Sequence, residues 1–178
     1  MVALEGGLGP CKEIGSIPGV GSPMAQAAPE TNLQNDGRLC IGSLPFVRLY
    51  RNNTGTLTDS RGVPVSYGLA IGSADTIGLV APYGRFLSIE WKRPGWTGPS
   101  GERERKRHES QLNWQAQING MRGVAGFAQS LHDGLRLVYL ATLLPTQYVD
   151  ESVAAGWANA RETEFRERTT ERDQRKKR

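Results

Sequence analysis

Three ionisable residues in the middle of the chain have the types and spacing of a hydrolytic site. Asp75 precedes a short apolar run, and Glu90 and Lys92 stand two positions apart in the segment IEWK at 89–92. Because side chains alternate between the two faces of a strand, Glu90 and Lys92 are predicted to project together while Trp91 points to the other side. An acid and a base therefore share one face.

Two carboxylates that converge on one point repel each other unless a cation lies between them. Their hard oxygen atoms suit Mg²⁺ or Mn²⁺, with water and a substrate phosphate completing the octahedron. Such a metal lowers the pKa of a bound water and neutralises charge on the phosphate, and Lys92 would orient that water or stabilise the transition state. The pattern indicates phosphodiester hydrolysis, although the same triplet also arises by chance on the solvated face of a strand.

Two neighbouring segments must position these residues. Thr76–Val80 is a short apolar run, residues 82–84 (PYG) form a turn signal, and residues 85–92 predict a further strand. The two strands are expected to pair as an antiparallel hairpin. That pairing brings Asp75, at the start of the first strand, to Glu90 at one end of the sheet.

The remaining elements follow from periodicity and from helix start and stop signals. The order of elements predicts an α/β domain with a central mixed β-sheet flanked by helices. Strands are predicted at 44–51, 65–71 and 123–128, and helices at 30–36 (closed by Gly37), 104–121 and 130–143.

The chain has 178 residues and a net charge of +4, enough length for one compact domain. We expect a flexible Gly/Pro-rich leader at 1–28, a folded domain at 29–145, and a charged tail at 146–178 that is helical or disordered. Positive charge concentrates in ERERKR at 102–107 and in RKKR at 175–178. These stretches fit an anionic partner, and they equally fit a role in solubility.

Several classes of protein are disfavoured. Cys11 and Cys40 are far apart without a CxxC partner, which argues against a disulfide framework or a zinc knuckle and favours a reducing compartment. The longest apolar stretch, 135–144, is interrupted by Arg136 and is too short to span a bilayer. We therefore expect a cytoplasmic protein without a membrane partner.

Three sequence blocks surround the triplet: RNNTG at 51–55, GSADTIG at 72–78 and GRFLSIEWKRP at 84–94. In the order and spacing of these blocks the chain resembles the VRR-NUC family of PD-(D/E)XK nucleases. The similarity continues to Gln111 and covers roughly residues 30–140. The resemblance implies a restriction-endonuclease-like core over the predicted folded domain.

The resemblance also assigns roles to individual residues. It implies that Asp75 and Glu90 bind Mg²⁺ or Mn²⁺ together with the backbone carbonyl of Trp91. It implies that Lys92 is the catalytic lysine and that Gln111 lies near the site.

Glu30 is a further candidate metal ligand, matching an acidic residue on the family's first helix. Two features depart from the family pattern. Ala74 stands where proline is usual, and the loop between Pro94 and Gln111 is longer and carries the extra basic ERERKR.

From the resemblance we expect a metal-dependent DNA endonuclease selective for branched DNA such as a Holliday junction. It would act as a homodimer in a bacterial or phage-infected cell, since a junction presents two equivalent strands to a two-fold protein. A catalytically silent DNA-binding module of the same fold, or a restriction or end-processing nuclease, stays open as an alternative.

Side chains outside the triplet have two interpretations each. Trp96 either stacks on an unpaired base or folds back on the core. His108 and His132 could serve as bases, but the mechanism needs neither, and they are interpreted as surface residues. Arg51 and Asn53 either contact phosphate or only form a turn. The full set of predicted DNA contacts is Arg51, Asn53, Arg103, Arg105 and Lys106.

Overall fold

The computed structural model describes residues 30–177. The leader predicted for 1–28 lies outside these residues. The described part of the chain contains, in order, α1 (Glu30–Gly42), β1 (Val47–Arg51), β2 (Gly55–Thr58), β3 (Pro64–Tyr67), β4 (Thr76–Val80), β5 (Arg85–Trp91), α2 (Glu102–Gly120), β6 (Val124–Ala128), α3 (Leu131–Thr142) and α4 (Glu151–Lys176).

The main sheet has four strands in the order β1-β4-β5-β6. β4 pairs antiparallel with both β1 and β5, whereas β5 and β6 run parallel. Helix α2 packs on one face of the sheet, and α1 and α3 pack on the other. The predicted α/β architecture, a mixed sheet flanked by helices, is confirmed.

The hairpin of β4 and β5 pairs as the sequence predicts. Thr76 lies opposite Ile89 and Val80 opposite Arg85. Strand β5 ends at Trp91, one residue earlier than predicted. The backbone N–H of the next residue, Lys92, donates to the carbonyl of Ala128 at 2.8 Å. This bond fixes the end of β5 to β6, where the candidate site lies.

The core on the α1 and α3 face is built around Trp91, which is fully buried. A Cβ added to Gly37 would lie 2.3 Å from the indole ring, and one added to Gly134 would lie 2.6 Å from it. Only glycine therefore allows α1 and α3 to approach the ring. The prediction that Gly37 closes the first helix is wrong, because this contact keeps Gly37 in the interior of a helix that continues to Gly42.

Two predicted strand boundaries are also wrong. The first strand begins at Val47 and not at residue 44, because a turn precedes it in which Val47 N–H donates to the carbonyl of Leu44. The extended segment predicted at 65–71 ends at Tyr67, because Gly68 takes a positive φ of 88°. The short strand β2, which the sequence analysis missed, pairs with β3 in a separate two-stranded sheet.

Ser130 caps the start of α3: its Oγ accepts a hydrogen bond from the N–H of Asp133 at 3.1 Å. The charged tail forms helix α4, whose Ala154 and Ala158 are buried. Its Trp157 packs against the ring of Tyr139 at 5.7 Å. None of the described helices has the length and hydropathy needed to cross a bilayer.

Candidate active site

One end of the main sheet brings together four of the predicted site residues. Glu90 and Lys92 come from the end of β5, Asp75 from the bend before β4, and Gln111 from α2. Lys92 Nζ lies 2.9 Å from Glu90 Oε1 and 2.9 Å from Gln111 Oε1. Gln111 Nε2 also donates to Glu90 Oε1. Residues of widely different sequence position thus form one hydrogen-bonded cluster.

The cluster is buried to an unusual degree for charged groups. Glu90 is 1% exposed, Gln111 3% and Lys92 8%. Groups of this kind are almost never buried unless they are paired, because removing a charge from water costs several kcal/mol. The Lys92 ammonium offsets the charge of Glu90, and the amide of Gln111 bonds to both partners.

Asp75 is fixed in place by its own neighbours. Its Oδ2 accepts the backbone N–H of Trp91 at 3.0 Å. Asn52 N–H donates to the carbonyl of Asp75 at 2.8 Å, and Asn52 Nδ2 donates to Ser73 Oγ and to the carbonyl of Ala74, both at 2.9 Å. The sequence analysis missed this positioning role of Asn52, although the residue lies between the predicted DNA contacts Arg51 and Asn53.

The loop before Asp75 also rests on α2. Gly72 has a φ of 87°, and a Cβ added there would lie 2.3 Å from the carbonyl oxygen of Ser110. Any side chain at this position would therefore move the loop. Gly72 keeps Asp75 close to the helix that supplies Gln111.

Burial makes both carboxyl groups of the site hard to ionise. It is the main cause that raises the pKa of Glu90 to about 7; the negative charge of Asp75 raises it further, whereas Lys92 lowers it. Burial likewise raises the pKa of Asp75; the N–H of Trp91 opposes this, and the charge of Glu30 adds to it. A cation between the two carboxylates would relieve both effects.

The donor set fits a hard divalent cation. The contacts of Glu90 described above all use Oε1 and that of Asp75 uses Oδ2, so each side chain keeps a second oxygen for a ligand. Two carboxylates with water and phosphate oxygens match the coordination of Mg²⁺ or Mn²⁺. Among residues 30–177 no group of three or more His, Cys, Asp and Glu side chains is gathered as a metal site.

The other predicted ligands lie nearby. Glu30, the first residue of α1, lines the same cleft as Lys92. Trp91 borders the carboxylate of Asp75 through its N–H. A metal bond from the Trp91 carbonyl or from Glu30 stays a prediction.

Two clefts are lined by residues of the cluster. A cleft of about 340 Å³ is lined by Lys92 and Gln111, and another of about 440 Å³ is lined by Asp75. Arg107 lines both, is 65% exposed as a side chain, and places Nη2 3.8 Å from Glu90 Oε1. The sequence analysis missed Arg107, although it precedes Gln111 by four residues and so shares its helix face.

The predicted DNA contacts divide into two groups. Arg51 and Asn53 line the 440 Å³ cleft together with Asp75. Arg103, Arg105 and Lys106 lie on the exposed surface of α2, and Lys106 Nζ pairs with Glu102 at 2.8 Å. The structure therefore brings the first group to the site, whereas the second group is exposed on α2 and lines neither cleft.

The rings of His108 and Trp96 pack against each other and are not fully exposed. His108 is half-buried, with its ring stacked on Phe127 at 5.1 Å and against Trp96 at 5.1 Å. The interpretation of His108 as a surface residue is wrong. Trp96 folds back on these rings and at the same time lines the 340 Å³ cleft.

No protein-family model and no curated protein matches this chain. The likeness to VRR-NUC nucleases thus rests on the three sequence blocks that surround Asp75, Glu90 and Lys92, and membership of that family stays a prediction.

Saturating Mg²⁺ is expected to raise the melting temperature by about 5–10 °C, since a ligand at 100 times its Kd stabilises a domain by about 2.7 kcal/mol. Asp75→Asn and Glu90→Gln are expected to lose most of this shift. Glu167→Gln, which changes an exposed carboxylate on α4, should keep it. Thermal melts with and without Mg²⁺ measure the effect, and equal shifts in all four proteins would contradict it.

The same melts have an expected pH dependence. The pKa of Glu90 in the folded protein, about 7, lies above its ordinary value of 4.5. Stability from this group is therefore full below pH 4.5 and is lost as the pH rises through 7. The Mg²⁺ shift should be larger at pH 8 than at pH 5.5, because at the lower pH a proton on Glu90 competes with the metal.

Proposed function

We propose that this protein is a Mg²⁺- or Mn²⁺-dependent DNA endonuclease that hydrolyses phosphodiester bonds at Asp75, Glu90 and Lys92. The observation that carries the proposal is the buried Lys92 ammonium, held between Glu90 and Gln111 beside a second carboxylate. Carboxyl groups whose pKa is raised by burial and that lie beside an open cleft are typical of functional sites. A chance triplet on a solvated strand face would have neither the burial nor the glutamine.

Lys92 is well placed for a catalytic role. An ammonium has three N–H donors, and those facing Glu90 and Gln111 use two of them. The third can donate to a phosphate oxygen or to the attacking water. Because both partners are fixed, little reorganisation is needed when charge develops on the phosphate.

A bound Mg²⁺ or Mn²⁺ would lower the pKa of its water and neutralise charge on the phosphate. Asp75 and Glu90 would hold that ion. Asn52 and the Trp91 N–H fix the position of Asp75, and Gln111 fixes that of Glu90.

The cationic residues around the two clefts fit a polyanion. Arg107 borders both clefts, Arg51 borders one, and Arg93 borders the other. Phosphates on either side of the cut would meet one guanidinium each. Contacts of this kind give affinity without sequence preference and weaken as salt rises.

The β2–β3 hairpin supports a homodimer as part of the proposal. Leu57 lies opposite Val65, and both are exposed. An isolated two-stranded sheet is only marginally stable. An unpaired edge strand of this hairpin can pair antiparallel with the same strand of a second copy across a two-fold axis. Tyr67 of this hairpin lines the Asp75 cleft, so such pairing would set two candidate sites near each other. Light scattering should then give twice 19.5 kDa.

The test is cleavage of labelled four-way junction, flap, nicked and linear DNA in Mg²⁺, Mn²⁺ and EDTA. We expect cutting in either metal, none in EDTA, and the fastest cutting on branched DNA. DNA binding without cutting under any condition would favour the silent binding module. Equal cutting of all forms, or cutting restricted to ends or to one sequence, would favour an end-processing or restriction nuclease.

A further inference from the structure

An aromatic cluster lies directly beside the candidate catalytic lysine. Trp96, His108 and Phe127 contact one another with ring centroids 5.1–5.9 Å apart. Lys92 Nζ lies 5.4 Å from the ring centroids of both Trp96 and Phe127. Of the three rings, Trp96 and His108 line the cleft together with Lys92, and Phe127 does not.

The loop that presents Trp96 is held by its own hydrogen bonds. Trp96 N–H donates to the carbonyl of Arg93 at 3.1 Å, and Gly95 takes the φ of 73° that this turn requires. At the other end, Ser100 donates to Glu104 Oε2 from its N–H at 2.6 Å and from its hydroxyl at 2.8 Å. A ring held in this way loses little conformational entropy when a ligand stacks on it.

The cleft joins the two kinds of group that recognise a nucleotide. Trp96 offers an aromatic surface, and Lys92, Arg93 and Arg107 offer cations for phosphate. Its volume of about 340 Å³ lies at the lower end of the range for small-ligand sites. The carboxylate of Glu104, which also lines the cleft, is occupied by Ser100.

We propose that this cleft is a subsite for an unpaired nucleobase, with Trp96 as the stacking surface, so that the preferred substrate is DNA with unpaired nucleotides next to the cut. The statement that cleavage occurs next to the unpaired nucleotides rests on the proposed function. The binding of a base to this cleft does not. Bases in a duplex are stacked on each other and cannot reach a side chain without leaving the stack. Base stacking on an aromatic ring tolerates any sequence.

Binding in EDTA tests the subsite without any cleavage. The probes are a labelled oligothymidylate of about 12 nucleotides and a labelled duplex of matched length, each titrated by fluorescence anisotropy. Trp96→Ala is expected to weaken single-strand binding about five- to a hundredfold and to leave duplex binding within about twofold. Trp96→Phe should keep most of the affinity, and Tyr148→Ala, which removes an aromatic side chain that is 88% exposed, should change neither.

Three results would overturn the subsite: no single-strand binding by the native protein, no loss in Trp96→Ala, or equal loss on both probes. Affinity that is lost in Trp96→Ala and largely kept in Trp96→Phe would separate stacking from misfolding, because phenylalanine keeps an aromatic ring at this position. If native protein binds the single strand through Trp96 but cuts no DNA, the proposed nuclease function fails and the subsite stands. If it cuts DNA and Trp96→Ala binds like the native protein, the subsite alone fails.

Discussion

Lys92→Met and Glu90→Gln are each expected to lower the rate of metal-dependent DNA cleavage by at least about a hundredfold. Lys92→Met removes the N–H donor that faces the phosphate, and Glu90→Gln removes one of the two carboxylates that would hold the metal. Lys92 donates to Oε1 of Glu90, so the two side chains act as one unit. The double variant should therefore be no slower than the slower single variant. Single-turnover cleavage at saturating protein measures all three rates.

The two variants should differ in how their melting temperatures respond to Mg²⁺. Lys92→Met keeps both carboxylates and should keep the Mg²⁺-dependent rise in melting temperature, whereas Glu90→Gln should lose it. Glu167→Gln serves as the control, since it changes an exposed carboxylate on α4, and its rate should stay within about twofold of the native rate. Full activity of Lys92→Met would remove this lysine from the mechanism.

The part of the site that lies on regular strands could be predicted from the sequence. Period-two alternation alone places Glu90 and Lys92 on one face and Trp91 on the other, and the 2.9 Å contact between Glu90 and Lys92 and the burial of Trp91 confirm it. The hairpin of β4 and β5 brings Asp75 to the same end. These relations depend on local periodicity and one short turn, which sequence patterns carry.

The residues that the sequence analysis missed act through tertiary packing. Asn52 fixes the loop of Asp75 by hydrogen bonds to residues more than 20 positions away. Arg107 becomes part of the site only because α2 crosses the sheet beside Glu90. Gly37 has the propensity of a helix end, yet a packing contact with Trp91 keeps it inside α1. No local pattern encodes which distant element will lie against a given residue.

The indole of Trp91 is expected to be the largest single contribution to the core on the α1 and α3 face. Trp91→Ala should lower the free energy of unfolding by about 3–5 kcal/mol, because it removes a fully buried ring and leaves a cavity. It also breaks the hydrogen bond from Trp91 Nε1 to Thr76 Oγ1, which measures 3.1 Å. Since a domain of this size is stable by only about 5–15 kcal/mol, we expect a large fall in the urea midpoint.

Gly37→Ala and Gly156→Ala are expected to change stability in opposite directions. Gly37→Ala places a methyl group 2.3 Å from the ring of Trp91, so it should destabilise the protein by about 1–3 kcal/mol. Gly156→Ala lies in the interior of α4 with nothing within 4 Å of the added Cβ, so it should stabilise by about 0.5–1 kcal/mol.

The decisive comparison is Gly37→Ala in the Trp91→Ala background. There the added methyl group no longer meets the ring, so alanine should be neutral or stabilising as it is at Gly156. Urea unfolding of the four proteins of this cycle measures the coupling free energy. If Gly37→Ala destabilises both backgrounds equally, the glycine is needed for some reason other than the ring. The close approach of α1 to Trp91 would then lack its main explanation.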